Sequence, residues 1–423
     1  MIEYATRMAE RFDKYVIMEI KTKSKQVRFF NSKIGIIKQW NSHVMQINLS
    51  KENKMISMEI ENPNEKKIKN SIERADKMMK YIAEIPFEID EDRNYVTIKI
   101  FDRNVLNDEK MVDIVKHAID YGMGNEIAGV MYSQIEKIRI SNSKGIFEED
   151  ENSMAYLSLR IFCDSSSGHA VSCSRKLENI DARISEEARQ IAIEGRKARK
   201  IEEGKYNVLL SPLAFSNLIS YFSYFSSAFA VESGYSFLEN KIGKKVADEK
   251  ISIYDSGIAI DGIFSRKFDD EGIATRETAI IKEGILKSYL HNSTTAKRHG
   301  TKTTGNAGII SPIPWNTVVM HGDYRKEEML EEMNGLFITN LWYTRFHNYM
   351  EGSFSTVARD GAFYIKNGVK MPVKGIRLND NMERMLKNIE MISKEIKQIY
   401  WWEVENPVFA PYVMIKDVRI TTI

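Results

Sequence analysis

The chain has 423 residues, 43% hydrophobic and 28% charged, with 61 Lys and Arg against 59 Asp and Glu and a formal charge of +2. This length exceeds the size at which a single core stops growing, so two or more structural units are expected, and the composition excludes a disordered or fibrous chain. Charges of both signs are mixed and nearly balanced, so neither a nucleic acid nor an acidic membrane surface is an expected partner.

The opening segment MIEYATRMAERFDKY carries acids and bases without an apolar core, the pattern of neither a signal peptide nor an anchor, and cytoplasm is the expected location. A helix is expected near 2–13, and QVRFFNSKIGIIKQWNSHVMQINLS reads as strands broken at Asn-Ser turns. Over 64–85, Ile68, Ile72, Ala75, Met79 and Ile82 recur at helical spacing and Pro86 supplies the stop. NYVTIKIFD alternates as a strand. A further helix over 108–123 begins at an Asn107 or Asp108 cap and ends near Gly122, with His117 as a surface or packed residue.

A meander is expected over 129–175. Within it Cys163, His169 and Cys173 resemble soft-metal ligands, but their spacing fits no zinc pattern and a fourth ligand is missing. They read as residues of two strands joined by a Ser/Gly turn, with His169 and Cys173 on one face. A reducing compartment would keep both cysteines as thiols. A long charged helix over 179–204, poor in large apolar residues, suits a boundary, giving units of 1–204 and 205–423.

NVLLSPLAFSNLISYFSYFSSAFAV, residues 207–231, contains no charged residue. Its length admits a membrane span, but Pro212 and the serines at 211, 216, 220, 223, 226 and 227 favour a buried helix of a soluble domain. Ser211 is the expected N-cap and Pro212 the first helical residue. Leu213, Phe215, Leu218, Ile219, Phe222, Phe225 and Phe229 surround the helix, and the serines can bond back to carbonyls one turn earlier. The remainder is β-rich, apart from a helix expected over 379–397 with Met382, Met385, Leu386, Ile389 and Ile392 on one face, and it closes on the strand FAPYVMIKDVRITTI. The fold class is therefore α+β: an N-terminal α/β sandwich-like domain, then an antiparallel, barrel-like C-terminal domain around a central buried helix.

There is no phosphate loop, GxSxG elbow, HExxH or CxxC pair. His291 and His299 are spaced neither i+3 nor i+4, so on one helix they would not converge tightly on a metal. His321 and His347 are turn-like. FDDEG, residues 268–272, misses the calcium-loop spacing and reads as a hairpin turn. TTGNAG, residues 303–308, is a turn whose glycine backbone could approach a ligand closely.

The order of these pieces carries more than each alone. Lys241, Gly243 and Val246, then Asp269 to Gly272 with Thr275 and Arg276, then Glu283, Gly284, Leu286 and Tyr289, then Thr304, Gly305 and Asn306 follow one another. In that order they resemble the C-terminal domain of the TldD/PmbA (TldE) family, also described as modulators of DNA gyrase. The resemblance covers about 205–400, and 1–204 more loosely. In the TldD branch it implies an H-E-x-x-x-H helix with zinc on both histidines, a glutamate that activates water and a late cysteine ligand. Here Ser220 and Phe225 stand at the histidine positions, Tyr221 stands at the glutamate, and no cysteine follows Cys173.

The resemblance thus implies the PmbA/TldE branch: a non-catalytic subunit paired with a TldD-like zinc metallopeptidase subunit, acting on unfolded peptides or small peptide precursors. Zinc is expected in that partner and none in this chain, and a homodimer is the alternative assembly for the chain in isolation. Peptide contact is assigned to Thr304, Gly305 and Asn306 with neighbouring strand edges. Two other readings stand beside it: an autonomous hydrolase using His291, His299 or His347 with Glu351, and a module that binds gyrase or nucleic acid.

Overall fold

The computed structural model describes residues 1–96 and 100–422. Its first half is built on a six-stranded antiparallel sheet of β1 (Lys14–Phe30), β2 (Lys33–Lys51), β3 (Lys54–Glu61), β4 (Glu126–Asn142), β5 (Phe147–Cys163) and β6 (Ser166–Ser174), in the order β3-β2-β1-β4-β5-β6. Asn31 and Ser32, with φ of 49° and 57°, make the tight turn between β1 and β2. The second expected Asn-Ser turn does not form. Asn41 and Ser42 instead pair in register with Lys23 and Thr22, so β2 runs straight through.

Helices cover one face of this sheet. α1 (Ile2–Ala9) and α2 (Glu65–Met78) bury Ile2, Ala5, Ile68 and Ile72 against Ile17, Met45, Ile47 and Leu49. α3 (Asp108–Tyr121) and α4 (Ile184–Glu194) bury Met111, Val115, Ala188 and Ala192 against Val27, Phe29, Leu157 and Ile161. The expected cap Asn107 accepts from Lys110 N, and Asn64, which the sequence reading did not single out, caps α2 by accepting from Lys67 N. The other face meets the second half, where Val16, Met18, Ile138 and Ile140 pack on Phe268 and Ile273. A one-residue slip would exchange these two faces, so each strand's register is strongly specified.

The second half is a larger mixed sheet centred on the closing strand Val404–Thr422, which pairs with Gly204–Leu210, Ile376–Asn381 and Ile389–Trp401 antiparallel and with Thr317–Val319 parallel. Its strand order has two ends, at Ile285–Leu286 and at Val369–Pro372, so the α+β class holds while the barrel-like closure does not. α5 (Pro212–Phe225) packs against this sheet. Ser211 caps it by accepting from Ala214 N at 3.2 Å, and Ser216 and Ser223 bond back to Pro212 O at 2.7 Å and Ile219 O at 3.2 Å. Phe215, Leu218, Ile219 and Phe222 are buried. The helix breaks at Ser226 and Ser227 and resumes at Ala228–Glu232, and among the described residues no helix is long and apolar enough to cross a membrane.

Three other expectations are corrected. The helix expected over 179–204 is α4 alone, ending at the Gly195 cap, because the charged residues after it have no apolar stripe to bury. The helix expected over 379–397 is confined to Met382–Lys387. Ile389 and Ile392 lie instead in a strand, because that Ile-rich segment pairs with the closing strand. Of NYVTIKIFD, residues 97–99 lie outside the described residues and the flanking residues form no strand.

The halves are docked through Arg175, fully buried just beyond β6. Its Nε donates to Ile100 O at 2.9 Å, Nη1 to Gly262 O at 3.1 Å and to Ser265 O, and Nη2 to Asn152 Oδ1 at 2.7 Å. Removing it leaves buried carbonyls from three segments without a donor. Arg175→Ala is expected to lower the unfolding free energy by ~3 kcal/mol or more, read as a shifted urea midpoint, and Arg175→Lys to recover only part because it lacks the planar fork.

Candidate functional site

Of the three positions that the family resemblance singles out on α5, Tyr221 and Phe225 point into an aromatic cluster and Ser220 bonds back along the helix. Ser220 is 2% exposed and its Oγ donates to Asn217 O at 3.4 Å. Tyr221 is half-buried, its hydroxyl donating to Thr344 O at 3.3 Å and its ring 5.3 Å from Phe346. Phe225 is 5% exposed and has the rings of Phe346, Phe237 and Tyr349 at 4.7, 5.4 and 6.1 Å. A back-bonded hydroxyl, a phenol whose ionisation burial disfavours and a phenyl ring do not fit a zinc donor set. Among the described residues no three His, Cys, Asp or Glu side chains are grouped so as to hold a metal.

The histidines divide differently from expectation. His291 and His299 flank the short helix Ser293–Arg298 and come edge to face with ring centroids 5.1 Å apart, because one precedes the N-cap Asn292 and the other is the C-cap. Burial, and secondarily the neighbouring His299, push His291 down to about 4, so it is neutral. His299 shares Glu232 with Arg298. His347 is exposed on the strand Leu341–Asn348, and Glu351 accepts from Ser353 Oγ at 3.3 Å.

His169 and Cys173 share a face of β6 as expected, while Cys163 packs on the helical side of the sheet. His169 nevertheless sits in an arrangement that sequence reasoning missed: Ser158 Oγ lies 3.0 Å from Nε2, and Asn340 Nδ2 lies 3.1 Å from Nδ1. Asn340 Nδ2 also bonds Asp360 Oδ2 at 2.9 Å, and Asp360 takes two bonds from Arg160 at 2.6 and 2.9 Å. A carboxylate can only accept, so Asn340 presents its amide N–H groups and His169 Nδ1 must accept. Nε2–H then donates to Ser158, the reverse of what a general base for serine requires. Burial pushes His169 down to about 4 and keeps it neutral.

The T-G-N loop lies in the interior. Thr304 Oγ1 accepts from His291 N at 2.8 Å, and Asn306 Nδ2 donates to Asp255 Oδ2 at 2.6 Å and to Ile313 O at 2.9 Å. Gly305 has φ of +70°, and a Cβ there would stand 2.4 Å from Ala274 O. Thr304 and Asn306 are 9% and 1% exposed, so these side chains brace the framework and offer little to a surface peptide. The FDDEG turn joins them: Asp269 accepts from the backbone of Glu271, Ile273 and Ala307, and Glu271 accepts from Ser293 N.

Above this framework a cavity of about 430 Å³ opens between β4 and β5 on one side and segments of the second half on the other. An aromatic file runs along it: Trp40 is 5.9 Å from Tyr132, Tyr132 is 5.3 Å from Tyr156, Tyr156 is 5.7 Å from Tyr400 and Tyr400 is 5.1 Å from Phe264. Tyr224 joins from α5, one residue before Phe225. Polar groups are few: Glu136, Gln134, Asn152 and Arg266, the last stacked 4.8 Å over Trp315 and 3.2 Å from Asp270. Burial holds the Glu136 carboxyl above the usual range. The sequence signal that could have found part of this site is period two: Tyr132, Gln134 and Glu136 on β4 face Asn152, Met154 and Tyr156 on β5. A larger cavity, about 520 Å³, opens beside Pro212, where Lys370 pairs with Glu194 and Lys397 with Glu187.

Burial raises Asp255 and Asp269 to about 7 and Glu271 to about 8. These carboxyls hold their protons more tightly folded than unfolded, so stability falls as pH rises from about 4 to about 8. Thermal midpoints between about pH 5 and about pH 8.5 should therefore decline, and Asp255→Asn should flatten the decline.

The profile of the PmbA/TldA metallopeptidase C-terminal domain matches residues 203–422, and that of the central domain matches residues 98–196. Metalloprotease PmbA of Escherichia coli O157:H7 is 30% identical over 209 residues, 48% of this chain and 45% of that protein. The metalloprotease PmbA homolog of Buchnera aphidicola is 26% identical over 327 residues, 76% of this chain and 67% of that one. Among solved structures, TldE from Thermococcus kodakarensis superposes with a TM-score of 0.86 over 99% of this chain and 98% of its own at 21% identity, which shows a shared fold. With one profile spanning more than half of the sequence and a second directly before it, this chain belongs to the PmbA/TldD metallopeptidase family.

Proposed function

We propose that this chain is a TldE-like, non-catalytic subunit of a TldD-type zinc metallopeptidase complex that acts on unfolded peptides or small peptide precursors. The observation that carries the reading is the chemistry of α5. By the family resemblance Ser220, Tyr221 and Phe225 stand at the ligand and base positions of the catalytic helix, and here they are engaged in backbone bonding and aromatic packing. Three protein ligands, an open position and a general base are what a catalytic zinc needs, and this helix supplies none of them. A TldD-like partner would hold the metal.

The contribution of this chain is then a wall of the substrate chamber. The cavity of about 430 Å³, lined by rings with a few polar groups, has the character of a binding site for an organic ligand. It lies against α5 through Tyr224, so a peptide held there would run close to the position of the lost ligands.

The chain purified alone is expected to bind substoichiometric zinc and leave unfolded peptides intact. Combined with a partner from the same genome that carries H-E-x-x-x-H, it should form a complex that cleaves them. Stoichiometric zinc together with cleavage by this chain alone would overturn the reading, as would a partner that neither binds this chain nor gains activity from it.

A further inference from the structure

We infer that the cleft between the two halves is a receptor for a primary ammonium group of a peptide, held by the Glu136 carboxylate within a cage of Tyr132, Tyr156, Tyr224 and Tyr400. The peptide as the source of the cation rests on the function proposed above. The cation itself rests on the cleft.

Tyrosine rings bring negative faces to a cavity and attract a cation that leaves water among them. Here four tyrosines line one cavity together with a single acidic side chain. Glu136 comes from the middle of β4, two residues beyond Gln134 and four beyond Tyr132, so strand geometry sets all three on one side. Among the described residues it has no Lys, Arg or His nitrogen within 4.0 Å, and the amide of Asn152 is its polar neighbour.

The nearby guanidiniums are engaged elsewhere. Arg266 lies between Asp270 and the face of Trp315, and Arg175 is held by Ile100 O, Gly262 O, Ser265 O and Asn152. Asp270 and Asp150 add negative field at Glu136 against the positive field of Arg266. A ligand ammonium would bring Glu136 a cation in direct contact, which favours its carboxylate form. Tyr132 directs its hydroxyl to Gln134 Oε1 at 2.6 Å, which fixes the ring beside Tyr156 without any ligand present. This side of the cage is thus held in place, which lowers the ordering cost of binding. An amino terminus or a lysine side chain would supply the same ammonium chemistry.

The test is calorimetric titration of the full chain with three probes: tetraalanine amide with a free amino terminus, its N-acetylated form, and an N-acetylated form in which one alanine is lysine. The free-amine probe is expected to bind about tenfold or more tightly than the acetylated one. Recovery of affinity by the lysine probe would assign the site to side-chain ammonium as well, and lack of recovery would confine it to amino termini. Glu136→Gln, nearly isosteric and checked by its circular dichroism and melting temperature, should bring the ammonium probes down to the acetylated level. Tyr156→Phe should retain the preference, because the ring remains.

Equal binding of free and acetylated probes would overturn the inference. So would an unchanged preference in a folded Glu136→Gln, or no binding of any probe. If the paired complex cleaves peptides while the cleft shows no ammonium preference, this inference fails and the subunit reading stands. Ammonium binding without any cleavage by the pair is the converse case.

Discussion

The buried guanidinium of Arg175 is the contact on which the rest of the architecture depends. It gathers carbonyls from the approach to α3, the 261–265 loop and the side chain of Asn152, and so fixes the six-stranded sheet against the second half. A buried arginine is tolerable only because its donors are satisfied in this way. Arg160 and Asp360 make a second clamp across the same boundary, and Asn142 reaches Glu271 O for a third. The cleft is a consequence. Its walls belong to different halves, and the Arg175 clamp reaches its lining at Asn152 and Ser265.

Beneath the cleft, the residues that mark the family are construction material. Asp269 receives three backbone N–H groups, Asn306 ties Asp255 to Ile313 O, and Gly305 lets the loop pass against Ala274. Buried carboxyls of this kind persist because their acceptors are met by backbone donors, and burial still holds their protons on. The result is a rigid floor of irregular chain beneath a site that needs a fixed shape.

α5 is held by aromatic packing and by serines that bond back along the helix. Phe225 packs edge to face on Phe346 and Phe237, an arrangement worth about 0.5–1.5 kcal/mol per pair beyond simple burial. Ser216 and Ser223 bond back to the preceding turn, and Ser223 also meets the Thr317 hydroxyl.

The sequence alone determined the elements whose signals are local. Helical spacing marked α2 and α3, the latter with its Asn107 cap, the Ser211–Pro212 start of an uncharged run marked α5, and ordered motifs marked the family. Tertiary structure alone decided what depends on distant partners: Ile389–Trp401 is a strand because Val404–Thr422 lies beside it, and His291 meets His299 because a short helix turns between them. The T-G-N loop, read as a ligand contact, is interior because Asp255 and Ala274 close over it. Glu136, Tyr156, Tyr224 and Tyr400 share no sequence motif, since docking through Arg175 is what brings their segments together. Periodicity and caps report forces within a few residues of chain. A cleft is made by packing between segments far apart, and its chemistry becomes legible only once they meet.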